Sequence, residues 1–238
     1  MNGGALKRSL CPARLALALL DSARVDSART ENVSTRRCTL GVSIATIAAC
    51  IILSSCGAIT PVKYYRLDVV PSSAPAASTT YPVTLILGQI TAPDLFRDNR
   101  LVYSTGSVQL GTYDNQRWAE APTEMIENML IQSLRASGQY RTVERASSSA
   151  RGDYVLRGHL SAFNEVDTPQ VAARFSLVLE LYDRKSGNVV WSQPYSHDEP
   201  VGTKNVPSVV EALQTNVRTG LQQLISSLNQ YFASQAAH

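Results

Sequence analysis

The side chains able to do covalent or metal chemistry are few and unevenly placed. Four cysteines occur, Cys11, Cys38, Cys50 and Cys56, and none follows Cys56. The remaining chain therefore carries no disulfide and no thiolate metal site. Histidine occurs at 159, 197 and 238. His159 sits in an alternating stretch on the side opposite Leu156 and Leu160, the place of a surface or interface histidine and not of a general base. His197-Asp198-Glu199 has metal-binding residue types but no second histidine at ligand spacing, so it reads as a solvated strand end. Asp94 and Asp98 read as solvated loop acids. Gly-x-Ser-x-Gly, His-Glu-x-x-His and a phosphate-binding glycine loop are all absent. With no nucleophile–base pair and no ligand set, the expectation is a protein that is no enzyme, with no cofactor and no metal.

Cys56 is the exception. Leu53, Ser54 and Ser55 precede it and Gly57 follows. Leu40 to Leu53 is apolar or small, and Arg36-Arg37 lies just before that run. A basic n-region, an apolar stretch of ~7–15 residues and a small-residue end make a secretory signal. A spanning helix needs about 20 apolar residues, which this run lacks. The end resembles the bacterial lipobox. Small residues at 54 and 55 let a signal peptidase reach the backbone, and the Cys56 thiol is the group that takes a diacylglyceryl thioether. The competing reading, a retained N-terminal anchor, has no flanking aromatic or basic residue after the run. Thr39 stands two places after Arg37, where a twin-arginine signal carries a bulky apolar residue, so general secretion is the preferred route. Residues 1–32 match no export signal. They read as an over-extended start, with Val33 as the initiator, or as a disposable pre-leader. The organisation expected is 1–32 pre-leader, 33–55 signal peptide, 56–63 lipidated tether and 64–238 folded domain.

Charge follows the same division. Residues 1–55 hold 7 Lys+Arg and 3 Asp+Glu, and residues 56–238 hold 15 and 16. The basic excess thus belongs to the leader. The near-neutral body, with no Lys/Arg run after Arg37, is not built for nucleic acid.

The body must supply a core without disulfides, and about 180 residues suffice. Tyr64–Val70 alternates and predicts a strand, and residues 71–82 predict a Pro/Ser/Ala/Thr loop. Residues 83–90 predict a buried strand. Residues 101–113 predict a hairpin turning near Gly106. Pro122 opens a predicted helix, with Met125, Ile126, Met129, Leu130 and Leu134 at helical spacing and Gly138 as its stop. Tyr140–Glu144 predicts a strand, and Arg145–Gly152 a loop. Asp153–Phe163 predicts a strand with Tyr154, Leu156, Leu160 and Ala162 on one face. Strict alternation from Val171 to Leu181, a turn at residues 184–188 and a return strand from Val189 to Tyr195 predict a second hairpin. Ser208 and Glu211 predict a capping box. Val210, Leu213, Val217, Leu221, Leu224, Leu228 and Phe232 then line one face of a long terminal helix. The sum is an α+β two-layer sandwich, a mostly antiparallel sheet with two long amphipathic helices packed on one face, in which the helix between the early and middle strands permits a parallel pairing as well.

Five features occur in one order: the Cys56 lipobox, Tyr64-Tyr65-Arg66-Leu67, Arg117-Trp118-Ala119-Glu120 before the first long helix, the Ser186-Gly187-Asn188-Val189-Val190-Trp191 turn, and the terminal helix. Residues 56 to 232 thereby resemble the ABC-type transport auxiliary lipoproteins, the paraquat-inducible protein C-like group. The chain departs from that group at Gly88-Gln89-Ile90-Thr91, where members often carry a proline. The resemblance implies an accessory lipoprotein of a system moving lipids or hydrophobic compounds between the membranes of a Gram-negative envelope. Its implied partners are an MCE-domain protein and an ABC permease with its ATPase. It implies a docking role without covalent chemistry, and a homo-oligomer is compatible with it. Gly57, and not Asp, after the cysteine favours the outer membrane, facing the periplasm. The candidate partner contacts are Arg97, Arg100, Tyr103, Arg117, Trp118 and Glu120, because Arg and aromatic side chains are common interface anchors. Trp118 has a second, preferred reading as a plug at the sheet–helix junction. The alternative function is a lipoprotein that itself carries a lipid or other apolar ligand, which requires a sizeable apolar cavity.

Overall fold

The computed structural model describes residues 60–68, 80–106, 108–146, 151–167 and 169–236. Eight strands and three helices follow in chain order: β1 (Lys63–Tyr65), β2 (Tyr81–Thr91), α1 (Asp94–Arg97), β3 (Arg100–Thr105), β4 (Gln109–Trp118), α2 (Pro122–Ala136), β5 (Tyr140–Arg145), β6 (Tyr154–Asp167), β7 (Val171–Asp183), β8 (Val189–Pro200) and α3 (Val206–Ala236).

The architecture is α+β, with one large mixed sheet and a long C-terminal helix. The sheet is mixed, and its two longest pairings, β6·β7 and β7·β8, are antiparallel as expected. β3·β4, β6·β7 and β7·β8 are antiparallel, whereas β1·β4, β2·β5, β2·β6 and β3·β6 are parallel. Tight turns give the antiparallel pairs. The parallel pairs join strands separated by long crossovers, which local sequence does not reveal. β6 is the hub: its first half pairs with β2, its last three residues with β3, and its other side with β7.

Local sequence explains most elements. α2 begins at Pro122, where a missing N–H costs nothing, and stops before Gly138, whose φ of 63° suits a helix end. The long alternation of β7 puts Ala173, Phe175, Leu177, Leu179 and Leu181 fully inside. Their neighbours are the apolar stripes of α2 and α3, in one cluster with Leu85, Leu87, Leu156 and Leu160. Gly220 lets α3 lie close on the sheet. A Cβ there would stand 2.6 Å from the Tyr195 ring and 2.9 Å from Phe175.

Several expectations shift. The strand at 64 is short, and Arg66–Asp68 leave it; Val69 to Ser78 lie outside the described residues. Tyr81 and Pro82 belong to β2 and not to a loop, and the strand predicted to end at Ile90 runs on to Thr91. β6 and β8 run on to Asp167 and Pro200. A register shift between Leu160 and Ala162 turns Phe163 inward, in place of Ala162. The cap of α3 is Asn205, not Ser208. The Asn205 Oδ1 accepts from the Ser208 N–H at 2.9 Å, and its carbonyl accepts from the Val209 N–H at 3.1 Å. The helix therefore starts earlier than a Ser208–Glu211 capping box requires.

Candidate functional site

The lipobox residues Leu53, Ser54, Ser55, Cys56 and Gly57 lie outside the described residues. The other candidates fall on the β3–β4 hairpin and its flanks. Arg97 ends α1 and pairs with Asp94. Arg100 opens β3, pairs with Asp98 at 3.2 Å, and lies in register with Arg117 of β4. Two arginines directly opposite repel. The repulsion is offset because Arg117 Nη1 donates to the Tyr113 carbonyl at 2.9 Å while Arg100 turns to its carboxylate. Tyr103 meets Tyr113 edge to face, with ring centres 5.1 Å apart. Glu120 is exposed and accepts from Asn128 at 3.1 Å.

Trp118 is withdrawn as a partner contact. It is 1% exposed and packs on Phe163, with ring centres 5.2 Å apart. An indole with no free surface cannot reach a partner in this fold, and it serves instead as the core plug at the end of β4.

Beside the hairpin lies a polar cluster that the sequence reasoning missed. Glu165 is buried, and its Oε2 accepts from the Tyr113 hydroxyl at 2.6 Å. Ser104 Oγ donates to the Glu165 carbonyl at 3.1 Å, and Asn164 Nδ2 donates to that same oxygen at 2.8 Å. Burial first, then the Glu165 hydrogen bond and charge, hold the Tyr113 hydroxyl above its ordinary pKa. Tyr103, Tyr113, Glu165, Asp167 and Lys204 border an open groove of about 350 Å³. The available signal was Asn164-Glu165 following the apolar alternation of β6 with no break residue between. Polar residues inside a strand that continues need partners.

A second polar surface covers β6, β7 and β8 on the side away from the buried β7 residues. Arg174 donates twice to Asp198, both at 2.7 Å, and this bidentate contact lowers the Asp198 pKa. The Arg157 guanidinium stands 4.5 Å from the centre of the Tyr182 ring. His159 is exposed, with Nδ1 3.0 Å from Thr91 Oγ1, and His197 Nε2 lies 3.4 Å from Glu199. The two histidines thus have separate partners. Among the described residues no three His, Cys, Asp or Glu side chains group to hold a metal.

Other open grooves, of about 280, 410 and 850 Å³, are bordered by charged side chains such as Arg157 and Glu180, Arg66 and Glu120, and Arg151 and Asp183. Polar and open, they suit contacts with water or a protein surface better than an apolar ligand.

A mixed sheet backed by a long C-terminal helix, with polar surfaces and a partly buried Tyr113–Glu165 pair, places the domain in the α+β class. The sequence model described as ABC-type transport auxiliary lipoprotein component matches residues 65–224, and the chain belongs to that family. Similar proteins include the intermembrane transport lipoprotein PqiC of Escherichia coli, 31% identical over 72 residues, or 30% of this chain. PqiC of Shigella flexneri matches equally. The chain aligns with 38% of the length of these relatives. Protein XCC0632 from Xanthomonas campestris shares the fold, with a TM-score of 0.68 at 19% identity over 74% of this chain and 99% of that one.

Proposed function

We propose that this chain is a lipid-anchored periplasmic accessory component of an ABC/MCE-type envelope system that moves lipids or other hydrophobic compounds. It is held through Cys56 by acyl chains such as palmitate, at the outer membrane, and it docks protein partners without covalent catalysis. Family membership supports the transport-auxiliary part of this reading. The observation that carries the docking part is the division of the sheet surface. Both long helices contribute to one apolar cluster, as in a two-layer sandwich with both helices on one face. The surface of β6–β8 carrying Arg157, Arg174, Asp198 and Tyr182 is left to contacts, as is the β3–β4 hairpin with Arg100 and Tyr103. The partner is the MCE-domain protein of the same system, working with its permease and ATPase.

The test is a pull-down from detergent-solubilised envelopes, with captured proteins identified by mass and circular dichroism as the folding control. Arg100→Glu and Tyr103→Ala should keep the fold and weaken capture of the MCE-domain protein, since one interface anchor is worth ~2 kcal/mol or more. Loss of function in folded His159→Ala or His197→Ala, with normal hairpin variants, would sink the docking account and place a site at those histidines.

A further inference from the structure

Among the described residues five large apolar side chains are exposed: Val62 at 44%, Tyr64 at 66%, Val108 at 94%, Leu110 at 50% and Val189 at 46%. Four of the five belong to two pieces of chain that adjoin β4, one near each of its ends. Val62 and Tyr64 sit at β1, and Val108 and Leu110 at the turn joining β3 to β4.

β1 and β4 are parallel, with Lys63 opposite Gln116. Parallel strands start at the same end of a sheet, so the chain enters β1 from the end where β4 begins, which is the hairpin tip. Gln109 opens β4 seven residues before Gln116, a distance of ~24 Å along a strand. Cys56 precedes Lys63 by the same seven residues, which reach at most ~25 Å. A lipid on Cys56 therefore keeps the β1 end of the domain close to the bilayer, and the direction of β1 aims its N-terminal side toward the tip.

The tip has the chemistry of such a neighbour. Thr105-Gly106-Ser107-Val108-Gln109-Leu110 carries no charge, so nothing in it resists entry into the headgroup region. A protein-facing surface is better matched by the charged face of β6–β8, and Val189 lies at the far end of the sheet. That end is fixed by register: Thr105 opposes Asp167 at the finish of β6, whereas Val189 opposes Tyr182 near the finish of the antiparallel β7.

We infer that the β3–β4 hairpin tip is a membrane-contacting element: Val108 and Leu110 sit in the headgroup region of the bilayer that holds the Cys56 lipid. The inference rests on the anchor proposed above.

The test uses the full mature protein purified from envelopes, with Val108→Cys or, for comparison, Val189→Cys. Acylated Cys56 is a thioether, so the introduced thiol is the one that takes an environment-sensitive fluorophore. Intact mass reports the acyl group. Each protein is placed in phosphatidylethanolamine/phosphatidylglycerol vesicles and recovered by flotation. The label at 108 should shift to the blue and be quenched several-fold more by lipid-borne quenchers than the label at 189. Equal, water-like labels on acylated, floating protein would overturn the inference and leave the anchor intact. A mass lacking the acyl group would remove the anchor and the inference with it. A blue shift that lipid quenchers do not touch, and that grows with protein concentration, would overturn it in favour of a contact between copies.

Discussion

The half of the sheet under α3 and the wing formed by β1, β3 and β4 follow different rules. Along β7 every second side chain from Ala173 to Leu181 is sealed, and α3 covers them with Leu213, Val217, Leu221, Leu224 and Leu228. Of the ten residues of β4, Trp118 alone is buried, and none of the three in β1 is. The face under α3 has few side chains to spare for a partner, whereas β1 and β4 have little to lose by meeting one. Stability therefore concentrates where α3 lies, and contact chemistry concentrates where cover is thin.

The comparison breaks first at α3. Leu221 is buried against the sheet, and Leu221→Asp places a carboxylate there with no partner. An unpaired buried charge costs about 3–5 kcal/mol, a large share of a typical ~5–15 kcal/mol stability. The variant should be unfolded by circular dichroism at temperatures where Arg100→Glu in the wing melts like the parent. Equal melting of the two would abolish the distinction.

Asn216 gives a smaller and more specific effect. It is fully buried within the apolar stripe of α3. Its Nδ2 donates to the carbonyls of Ala173 and His197, both at 2.8 Å, and its Oδ1 accepts from Tyr195 at 2.8 Å. One amide thus ties the helix to β7 and β8 together. Asn216→Leu keeps the branched heavy-atom shape and leaves those groups without that partner, so about 2–4 kcal/mol should be lost in urea unfolding. A neutral result would mean that the apolar stripe alone fixes the helix on the sheet.

Asn216 also marks the limit of what periodicity shows. The positions 213, 217, 221, 224 and 228 predict the buried face of α3, and the face forms. A polar residue beside that stripe gives no sign of whether it is solvated or is a buried pin, because its partners lie 19 and 43 residues away. Glu165 was hidden for the same reason: Tyr113 is 52 residues distant. The hairpins at 101–113 and 171–195 were legible because their turns are local. For β2 with β5 and β6, the intervening helix permitted parallel pairing, but which strands pair was not legible, since each pair joins strands across a long crossover. Among the candidate contacts, arginine and tyrosine types placed Arg97, Arg100 and Tyr103 on accessible chain. For Trp118 the same residue type allowed both an anchor and a plug, and the preferred plug reading is the one its burial supports.

The smallest expected effect lies on the polar surface of β7 and β8. Asp198 is held below the usual carboxylate pKa, first by its hydrogen bonds from Arg174 and further by the charge of that guanidinium, against the opposing effect of partial burial. A carboxyl whose pKa is depressed on folding stabilises the fold above its unfolded value of ~3.9, and that contribution fades as pH falls through the lower folded value. Both side chains are 43% exposed, so solvent screens most of the attraction. Asp198→Asn should then cost no more than about 1 kcal/mol at neutral pH, and the difference from the parent should shrink as acid protonates Asp198. Urea midpoints measured from pH 7 down to pH 3 check both points. A loss at neutral pH as large as that of Asn216→Leu would make the Arg174–Asp198 pair a structural clamp. The surface of β6–β8 would then belong with the covered half, and the β3–β4 wing would be left as the docking surface.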